Sequence, residues 1–527
     1  MDVITQKSTG SFYTCSSIAD YIANWAIETP NTCVLEPSFG DGIFIDSAIS
    51  RFKVLGNSTP NIIGVEIQEQ PYNLYIESHA QIQGFCMDFM EYRPNTEINA
   101  IIGNPPYVRL KELKAHNREK VLQLLSAYGL EMQTSGSLWM PFIVHSTEIL
   151  EDKGKLGFVL PYEITHVRYA MDLWEYLSTK YGKITICRIY HDFFPDVDVE
   201  TIVLLAEEKG SKTNAVFYTV FETIADLFNN NACLTSKIPM ADIVNFNKPF
   251  VRELIPQSVM ITLESLRKSA KLTTFVHDCK FKIGYVSGNK DYFHLSEEEA
   301  KRFNIHKENL RKCLLNAKQI NSNVNSGIET ATISKYSFLF YPVTIDVGEW
   351  RYIGYGEEKG VDKGYKCKAR KPWYLTPGLE MPDIILTVFG DVPKMLLNNG
   401  SFYVSNSLLS GFLKNGNKKE LICRWYNSLT LLSVEMTIHS LGGGTLVLIP
   451  GETDKLEIIS NFPVGKVEET YRVISDYARI HSTEELYLFG DEVVLKKIYG
   501  FSDETIDNIR KSLQILRNWR NPDKRRR

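Results

Sequence analysis

The sequence contains no long apolar run and no leader-like start. Its first ten residues, MDVITQKSTG, lack the basic stretch followed by an apolar stretch that marks a secretory signal. No later apolar segment approaches the length of a membrane-spanning helix. We therefore expect a cytoplasmic protein that does not bind a membrane.

Cysteine is sparse and is never clustered. The 527 residues include nine cysteines, and no two of them stand at the close spacing of a metal-ligand pair. This scatter argues against a disulfide framework and against a zinc site. We expect reduced thiols that mostly pack in cores, and no bound metal.

The composition excludes a disordered chain or a fibre. Hydrophobic residues make up 44% of the sequence, aromatic residues 12% and charged residues 23%, as in soluble globular proteins. A chain of 527 residues is too long for one ordinary core, so its length favours two or three domains.

The charge is distributed unevenly along the chain. Residues 1–250 contain 19 Lys and Arg against 30 Asp and Glu, whereas residues 251–527 contain 40 against 33. The second half is therefore better suited to contact a polyanion. The alternative is that surface charge simply differs between two domains.

Short β-branched runs alternate with amphipathic stretches from about residue 10 to 220. The runs are TCVLEP (32–37), NIIGVEI (61–67), INAIIG (98–103), GKLGFVLP (154–161), KITICRIY (183–190) and ETIVLLAE (200–207). Helix-like segments cover residues 16–28 and 138–152. This alternation predicts an α/β domain with a mainly parallel sheet, whose ligands bind beyond the carboxyl ends of the strands.

The alternation stops after about residue 240. Residues 250–450 mix short apolar runs with Gly-, Asn- and Lys-rich connections, such as those at 321–327 and 354–374. From about residue 466 the pattern is helical, and the chain ends in NWRNPDKRRR. We predict three parts, at 1–245, 246–465 (mixed α+β) and 466–527 (a helical segment with a basic tail).

A glycine turn follows the first predicted strand, in VLEPSFGDGIF (34–44). Gly40 and Gly42 allow the backbone to approach a ligand closely. Glu36 and Asp41 place acidity where a phosphate-binding loop would avoid it. The turn therefore suits a cationic or amino-acid-like cofactor. The alternative is an acidic surface turn, which would have the same residue types.

Two further acidic positions follow at the ends of strands. Glu66 lies 26 positions beyond Gly40, where a carboxylate can accept both hydroxyls of a ribose. Asp88 and Phe89, in FCMDFMEY, offer an acceptor and an aromatic face to an adenine ring. Together with the glycine turn, these residues predict a pocket for an adenosine with a positively charged tail.

The segment NPPY, residues 104–107, follows the apolar run NAIIG. An aryl amine is a poor nucleophile because its lone pair is delocalised into the ring. The side-chain oxygen of Asn104 and the backbone carbonyl of Pro105 could accept hydrogen bonds from the two N–H groups of such an amine. These bonds would aim the nitrogen lone pair at an electrophile. Prolines fix this backbone before the substrate binds, and Tyr107 offers a face for stacking. A proline turn that merely ends a strand is the alternative.

The order of these motifs resembles that of a known enzyme family. GSFYT, EPSFGDGIF, GVEI, MDF, GNPPYV and FFPDV follow one another as in the γ-class adenine-N6 DNA methyltransferases of restriction–modification systems. Residues 281–293, 370–375 and 441–450 are more loosely similar to the target-recognition domains of that family.

The resemblance implies a fold, a cofactor and partners. Residues 1–245 would form a Rossmann-like domain that binds S-adenosylmethionine, and residues 246–465 would recognise the DNA target. The substrate would be double-stranded DNA in a bacterial cell. A cognate restriction endonuclease or other defence-system subunits would be partners.

The resemblance also assigns roles to residues that match the family motifs. Tyr13 and Thr14 would contact the methionine end of the cofactor, and its amino-acid moiety would lie over Glu36, Ser38, Gly40, Asp41 and Gly42. Glu66 would bind the ribose, and Asp88 with Phe89 the adenine. Asn104, Pro105, Pro106 and Tyr107 would form the catalytic loop, and Phe194 would pack with Tyr107 against the target base.

Three positions depart from the family pattern. Cys15 replaces a common proline, Phe39 replaces a small residue, and Ser137 stands where many relatives carry an acid. We expect these departures to alter the affinity for the cofactor rather than to abolish activity.

A base inside a duplex cannot reach a buried methyl donor, so it must be flipped out at a cost of a few kcal/mol. Contacts to phosphates must supply that energy. The basic window 359–371 is our predicted contact, and a solvated loop is the equal alternative. Its basic residues are Lys359, Lys363, Lys366, Lys368, Arg370 and Lys371, and the last five are the candidate DNA contacts.

Other functions fit parts of the sequence. Pro195-Asp196 with Glu207 and Lys209 matches the metal site of restriction nucleases, although such short spacings arise readily by chance. NPPY also suits methylation of RNA or of a protein glutamine. A third hypothesis is a defence-system subunit that binds DNA and methylates only with partners. Asn104 favours adenine over cytosine, because cytosine-N4 enzymes more often carry serine there.

Overall fold

The computed structural model describes residues 14–79, 81–167, 169–189, 201–245, 249–321, 327–438 and 445–520. The chain divides into two compact units, and the division lies between Glu253 and Leu254. The unit that begins at Leu254 includes the described C-terminal helices, so this division does not separate the segment from residue 466 onward. None of the described helices is both long enough and apolar enough to cross a membrane.

A nine-stranded sheet forms the centre of the first unit. Its strands, in chain order, are β1 (Cys33–Glu36), β2 (Asn61–Glu66), β3 (Gln83–Cys86), β4 (Ile98–Gly103), β5 (Leu150–Pro161), β6 (Tyr181–Ile189), β7 (Thr201–Lys209), β8 (Ala215–Phe221) and β9 (Leu234–Pro239). The spatial order is β3-β2-β1-β4-β5-β7-β6-β8-β9. The predicted α/β class with a mainly parallel sheet is confirmed.

The first five strands are all parallel. β1 pairs with both β2 and β4, and the remaining parallel neighbours are β2 with β3 and β4 with β5. β7 lies antiparallel between β5 and β6, which is parallel to β8. The chain reverses its direction across the sheet at β1, because β2 and β4 lie on opposite sides of it. A ligand crevice is expected at such a switch point.

The helices of the first unit cover the sheet. They are α1 (Ser16–Ala26), α2 (Ile43–Val54), α3 (Glu69–Ser78), α4 (Ala115–Ala127), α5 (Trp139–Ile149), α6 (Ala170–Lys180), α7 (Ile224–Phe228), α8 (Met240–Val244) and α9 (Pro249–Arg252). One face of α1 buries Ile18, Ile22 and Ala23 completely. These residues share a core with Val34 of β1 and Phe44 of α2, which joins helix and sheet by apolar burial.

Smaller sheets form the second unit. Its strands are β10 (Leu272–Thr274), β11 (Cys279–Ile283), β12 (His294–Leu295), β13 (Leu310–Leu314), β14 (Ser337–Phe340), β15 (Ile384–Thr387), β16 (Met395–Leu397), β17 (Tyr403–Val404), β18 (Leu408–Leu413) and β19 (Glu457–Ile459). They form the sheets β11-β18-β15-β16, β12-β14-β13-β17 and β10-β19. This agrees with the predicted mixed α+β character.

The helices of the second unit are α10 (Gln257–Lys268), α11 (Lys290–Phe293), α12 (Glu297–Phe303), α13 (Ala317–Asn321), α14 (Val347–Glu358), α15 (Tyr365–Lys368), α16 (Lys418–Trp425), α17 (Ser428–Thr437), α18 (Pro450–Thr453), α19 (Val467–Ala478), α20 (Thr483–Gly490) and α21 (Asp503–Arg520). Our prediction of a connection over residues 354–374 was wrong in part, because the end of α14 and the whole of the short α15 lie in it. Asp346 and Glu349 form a capping box that starts α14 despite its glycines.

The C-terminal helix is tied to the second unit by buried ion pairs. The Arg520 guanidinium donates to both carboxylate oxygens of Glu435 at 2.8 Å. Arg510 donates to Asp491 at 2.8 Å, and the same carboxylate accepts from Ser428. Because these carboxylates are buried and paired, removing one partner would leave an uncompensated charge.

Candidate active site

A cleft opens in the first unit beyond the carboxyl ends of β1, β2 and β4. Its empty volume is about 1060 Å³, open solvent included. The segments that line it follow β1, β2, β3 and β4, and helices α4 and α5 complete the wall. This is the switch point of the sheet, where the fold predicts a ligand.

The cleft brings together most of the residues that the sequence predicts for the cofactor. Those that line it are Thr14, Glu36, Ser38, Gly40, Asp41, Glu66, Asp88 and Phe89. Asn104 and Pro106 of the predicted catalytic loop line the same cleft. Tyr13 and Phe194 lie outside the described residues.

The glycine turn is fixed to the next strand by Glu66. One carboxylate oxygen of Glu66 accepts from the backbone N–H of Gly40 at 2.9 Å, and the other accepts from Gln68 at 2.8 Å. The side chain is 4% exposed. Glu66 therefore holds the shape of the turn as well as contributing a carboxylate to the cleft.

Gly42 does not line the cleft, unlike the other predicted residues of the turn. It has φ +82° and precedes α2. A Cβ atom here would lie 2.0 Å from a ring carbon of Tyr75. The structure therefore places Gly42 in the packing of the turn against α3 instead of at the ligand surface.

The departure at Phe39 also has a packing reason. Phe39 is 2% exposed, and its ring centroid lies 5.4 Å from that of Tyr75. A Cβ atom on Gly64 would come within 2.9 Å of the Phe39 ring. The large side chain is therefore accommodated by a glycine on the neighbouring strand β2.

Glu36 is the most unusual acid of the cleft. Its side chain is 2% exposed, and its Oε2 atom has no hydrogen-bond partner among the described residues. Burial and the charges of Asp41 and Glu66 raise the pKa of Glu36 well above its ordinary value. Burial raises the pKa of Asp41 as well. A cation in the cleft would relieve this unfavourable arrangement.

The other end of the cleft is largely apolar. Asp88 begins a short turn there, and its Oδ1 accepts from the backbone N–H of Met90 at 3.0 Å. The rings of Phe89 and Phe142 lie 5.1 Å apart. Met90, Leu113, Val121 and Leu138 also line the cleft. An acceptor beside aromatic and aliphatic walls is suited to a flat heterocycle that carries an amine.

The NPPY segment leaves β4 directly into the cleft. Asn104 Nδ2 donates to the Thr14 hydroxyl at 3.2 Å, and the Asn104 carbonyl accepts from Ser38 at 3.4 Å. These bonds connect the segment to both the N-terminal motif and the glycine turn. Pro105 is buried and does not line the cleft, although its predicted role uses only its backbone carbonyl.

Tyr107 does not line the cleft and is held by the next strand. Its hydroxyl donates to the backbone carbonyl of Val159 in β5 at 3.3 Å. Burial and the charge of Glu163 raise the pKa of Tyr107 well above its ordinary value, so the phenol stays neutral. The bond to Val159 therefore holds the last residue of NPPY against β5.

Sequence reasoning missed the wall that α4 and α5 provide. Asn117 and Val121 stand four residues apart on α4, and Leu138 and Phe142 have the same spacing at the start of α5. Such spacing places side chains on one helix face. That signal is present in the sequence, but it does not show that the face meets a cleft instead of a core.

The predicted DNA contacts in the second unit fall into two groups. Lys363, Lys366, Lys368 and Lys371 are exposed. Arg370 donates to the carbonyls of Ser287 and Val286, both at 2.7 Å. Arg370 therefore anchors the segment to a neighbouring loop through its guanidinium, and its contact with DNA stays a prediction.

The nuclease alternative gains no geometric support. Glu207 of β7 forms an ion pair with Lys183 of β6 at 2.7 Å. Pro195 and Asp196 lie outside the described residues. Within the described ranges, no group of three or more His, Cys, Asp or Glu side chains could hold a metal ion.

All nine cysteines are free thiols, and six of them are buried.

Two family models match the chain. Residues 47–194 match the "Eco57I restriction-modification methylase" model. Residues 247–495 match the model for "Type II methyltransferase M.Eco57I, C-terminal domain". The first match spans the glycine turn, the acids of the cleft and NPPY, and the second spans most of the second unit.

Curated relatives carry names of the same kind. The chain is 23% identical over 399 residues to "Type II methyltransferase M.AccI" of Acinetobacter calcoaceticus. This alignment covers 73% of this chain and 72% of M.AccI. It is 30% identical over 177 residues to "Type II methyltransferase M.HincII" of Haemophilus influenzae. That second alignment covers 34% of this chain and 32% of M.HincII.

Solved structures share the fold over nearly the whole chain. A DNA complex of the Type IIL restriction-modification enzyme MmeI superposes with a TM-score of 0.59 at 11% identity, covering 98% of this chain and 80% of that one. A DrdV–DNA complex superposes with a TM-score of 0.52 at 10% identity. That superposition covers 90% of this chain and 58% of the DrdV chain. The two family models and the curated relatives support the assignment of the chain to the restriction–modification methyltransferases, and the solved structures show the shared fold alone.

Proposed function

We propose that this chain transfers a methyl group from S-adenosylmethionine to the exocyclic N6 of an adenine flipped out of duplex DNA. The observation that carries the proposal is one cleft in which Glu36, Glu66 and Asp88 meet Asn104 of NPPY. The family models support methyl transfer to DNA, and the names of M.AccI and M.HincII agree with it.

The residues of the cleft fit S-adenosylmethionine. A sulfonium and an ammonium group are cations, and no Lys, Arg or His forms an ion pair with Glu36, Asp41, Glu66 or Asp88 in the described part of the chain. The buried Oε2 of Glu36 would gain a partner from such a cation. Glu66 would accept from the ribose, and Asp88 and Phe89 would hold the adenine.

Bound S-adenosylmethionine would supply an electrophilic methyl group on a sulfonium. Asn104 would accept one N6 hydrogen of the target adenine through its side-chain oxygen, since its Nδ2 is committed to Thr14. The Pro105 carbonyl would accept the other hydrogen. The two acceptors would favour a pyramidal nitrogen and stabilise the positive charge that develops on it.

The target base would stack beside this loop. Tyr107 is our proposed first aromatic contact; because its ring does not line the cleft and its hydroxyl is bonded to Val159, the ring would have to turn toward the base on binding. Phe194 is our proposed second aromatic contact. Exposed lysines at 363, 366, 368 and 371 would contact the phosphates of the duplex.

Methylation in a host free of other methyltransferases tests the proposal. We expect DNA from cells that express the protein to carry N6-methyladenine at one recurrent sequence. Asn104→Ala should reduce modification by roughly 10²-fold or more, because an acceptor used in the transition state is lost. Asn104→Asp is the matched variant, which retains an oxygen but adds a charge. Unmodified DNA at full expression of folded wild type would contradict autonomous activity.

The acceptor is tested with purified protein. Labelled S-adenosylmethionine is offered with duplex DNA, RNA or a release-factor protein under the same conditions. We expect label in DNA alone. Label in RNA or protein at a comparable rate would favour the alternative acceptors, and label that needs added subunits would favour a partner-dependent enzyme.

A further inference from the structure

A turn of residues 88–92 presents the predicted adenine contacts to the cleft. Asp88, Phe89 and Met90 line the cleft, and backbone bonds from Glu91 to Asp88 at 2.9 Å and from Tyr92 to Phe89 at 3.0 Å close the turn. The position of Phe89 and of the Asp88 carboxylate therefore depends on how firmly this short segment is held.

Two side chains outside the cleft lining hold the turn. Arg93 Nη1 donates to the carbonyl of Met90 at 3.0 Å and to that of Tyr92 at 2.8 Å. His145 of α5 is 3% exposed, and its Nε2 lies 3.0 Å from the Tyr92 carbonyl and 3.3 Å from Arg93 Nη1. Neither residue lines the cleft.

His145 also supports the aromatic ring that faces the cleft. Its imidazole meets the edge of the Phe89 ring, with centroids 4.8 Å apart and an interplanar angle of 64°. Phe142 stands three positions earlier on the same helix and packs on Phe89 from within the cleft. α5 therefore contacts the Phe89 ring at two places, one of which is outside the ligand surface.

We propose that His145 and Arg93 are positioning residues for the adenine end of the cofactor, acting through the turn of residues 88–92. This inference rests on the proposed function, since it assumes that S-adenosylmethionine binds in the cleft. Both residues act on the cofactor without touching it, and neither is expected to contact DNA or the transferred methyl group.

The electrostatics of His145 agree with a fixed, neutral support. Burial and the positive charge of Arg93 lower the pKa of His145 to about 4, so the imidazole is uncharged at neutral pH. The carboxylate of Glu148, on the same helix, acts in the opposite direction but is outweighed. An uncharged ring can stand beside the Arg93 guanidinium without repulsion.

Cofactor binding to variants tests the proposal. Calorimetric titration with S-adenosylhomocysteine should show a Kd raised roughly tenfold in His145→Ala, because a looser turn must be ordered on binding. His145→Gln, which retains a polar group at this place, should recover much of the loss. With labelled S-adenosylmethionine and DNA, KM for the cofactor should rise while kcat at saturation and the Kd for DNA stay near wild type.

Val144→Ala is the matched control. Val144 is equally buried on α5 but lies about 200° around the helix from Phe142, away from the turn. Its Kd for S-adenosylhomocysteine should remain unchanged. An unchanged Kd in His145→Ala, or an equal rise in Val144→Ala, would overturn the proposal.

A second variant covers the case in which His145→Ala does not fold. Arg93 is exposed, so Arg93→Met should fold, and it should raise the same Kd because two carbonyl contacts are lost. An unchanged Kd in Arg93→Met would again overturn the proposal. Failure of wild type to bind S-adenosylhomocysteine would instead contradict the proposed function, so the two failures are distinguishable.

Discussion

Glu36 shows how a single residue can oppose folding and favour binding. It is buried among acids, and its pKa is raised well above the ordinary value by burial, by Asp41 and by Glu66. Asp46 of α2 acts in the same direction, and the N–H of Ile45 acts against it. A group with a raised folded-state pKa stabilises the protein fully only below its unfolded pKa, and this stability is lost as pH rises.

We therefore predict opposite effects of Glu36→Gln on stability and binding. At pH 7 the variant should raise the free energy of unfolding of the ligand-free protein, because no buried carboxyl remains to be ionised. It should weaken S-adenosylhomocysteine binding about ten- to hundredfold, because a charged hydrogen-bond partner of the ammonium is lost. Denaturant unfolding and calorimetric titration measure the two effects. A destabilised variant with wild-type affinity would contradict the prediction.

The same residue should couple cofactor binding to proton release. A bound cation lowers the pKa of Glu36, so wild type should release a proton on binding wherever the ligand-free carboxyl is protonated. Affinity should consequently increase with pH until the α-amino group of the ligand loses its proton. Titrations in two buffers of different ionisation enthalpy count the protons. In Glu36→Gln this count should fall toward zero.

At the scale of elements, the packing of α3 against the glycine turn shapes the cleft. Tyr75 of α3 donates to Asp46 at 2.6 Å and to the Gly42 carbonyl at 3.3 Å, and its ring stacks on His79. Gly42 meets this ring at a distance that no Cβ atom could share. The turn, α2 and α3 therefore depend on one another.

Gly42→Ala should destabilise the first unit by more than its backbone conformation explains. An L-residue at φ +82° costs about 1–2 kcal/mol. The clash with Tyr75 should bring the loss to roughly 3 kcal/mol or more. Gly56→Ala is the control, because Gly56 has φ +80° but nothing within 4 Å of its Cβ position. Equal losses for the two variants in denaturant unfolding would contradict the role of Tyr75.

Elements whose apolar period is strong could be predicted from the sequence, and those set by tertiary contacts could not. The run 98–103 became β4 with the same bounds, because its nearly continuous apolar residues suit a strand buried on both faces. β3, with the sequence QGFC, is exposed or half-buried and is fixed by its pairing with β2. α14 begins at a capping box ahead of residues 354–374 and continues into that glycine-rich stretch, where composition alone suggests a connection.

The residues of the candidate site likewise fall into those that the sequence predicts and those whose position depends on tertiary contacts. Acids and glycines that follow parallel strands can be predicted to lie close together, because the carboxyl ends of parallel strands meet at one edge of the sheet. Glu36, Glu66, Asp88 and Asn104 meet there accordingly. Gly42 and Tyr107 face protein instead of the cleft, and His145 supports Phe89 from behind. A pattern of residue types does not encode on which side of a turn a neighbour will pack.

At the scale of the whole molecule, the net charge of −4 hides an acidic half and a basic half. The basic segment 361–371 is held against the second unit, because Val361 and Cys367 are buried and Arg370 donates to the Ser287 carbonyl. Its four exposed lysines form no ion pair within the described part of the chain. This arrangement suits contact with phosphates, whose counterions are released when a lysine binds.

Replacing Lys363, Lys366, Lys368 and Lys371 by Gln should therefore weaken DNA binding and reduce its salt dependence. The slope of log K against log salt should fall in magnitude by about 0.9 for each lysine that contacts a phosphate. S-adenosylhomocysteine binding should be unchanged, since these lysines lie outside the cleft. A matched variant replaces four lysines that already pair with carboxylates, Lys301, Lys419, Lys466 and Lys496. Equal slopes for the two variants in titrations of duplex DNA would show that segment 361–371 is a solvated surface, and the energy for base flipping would then have to come from other cations.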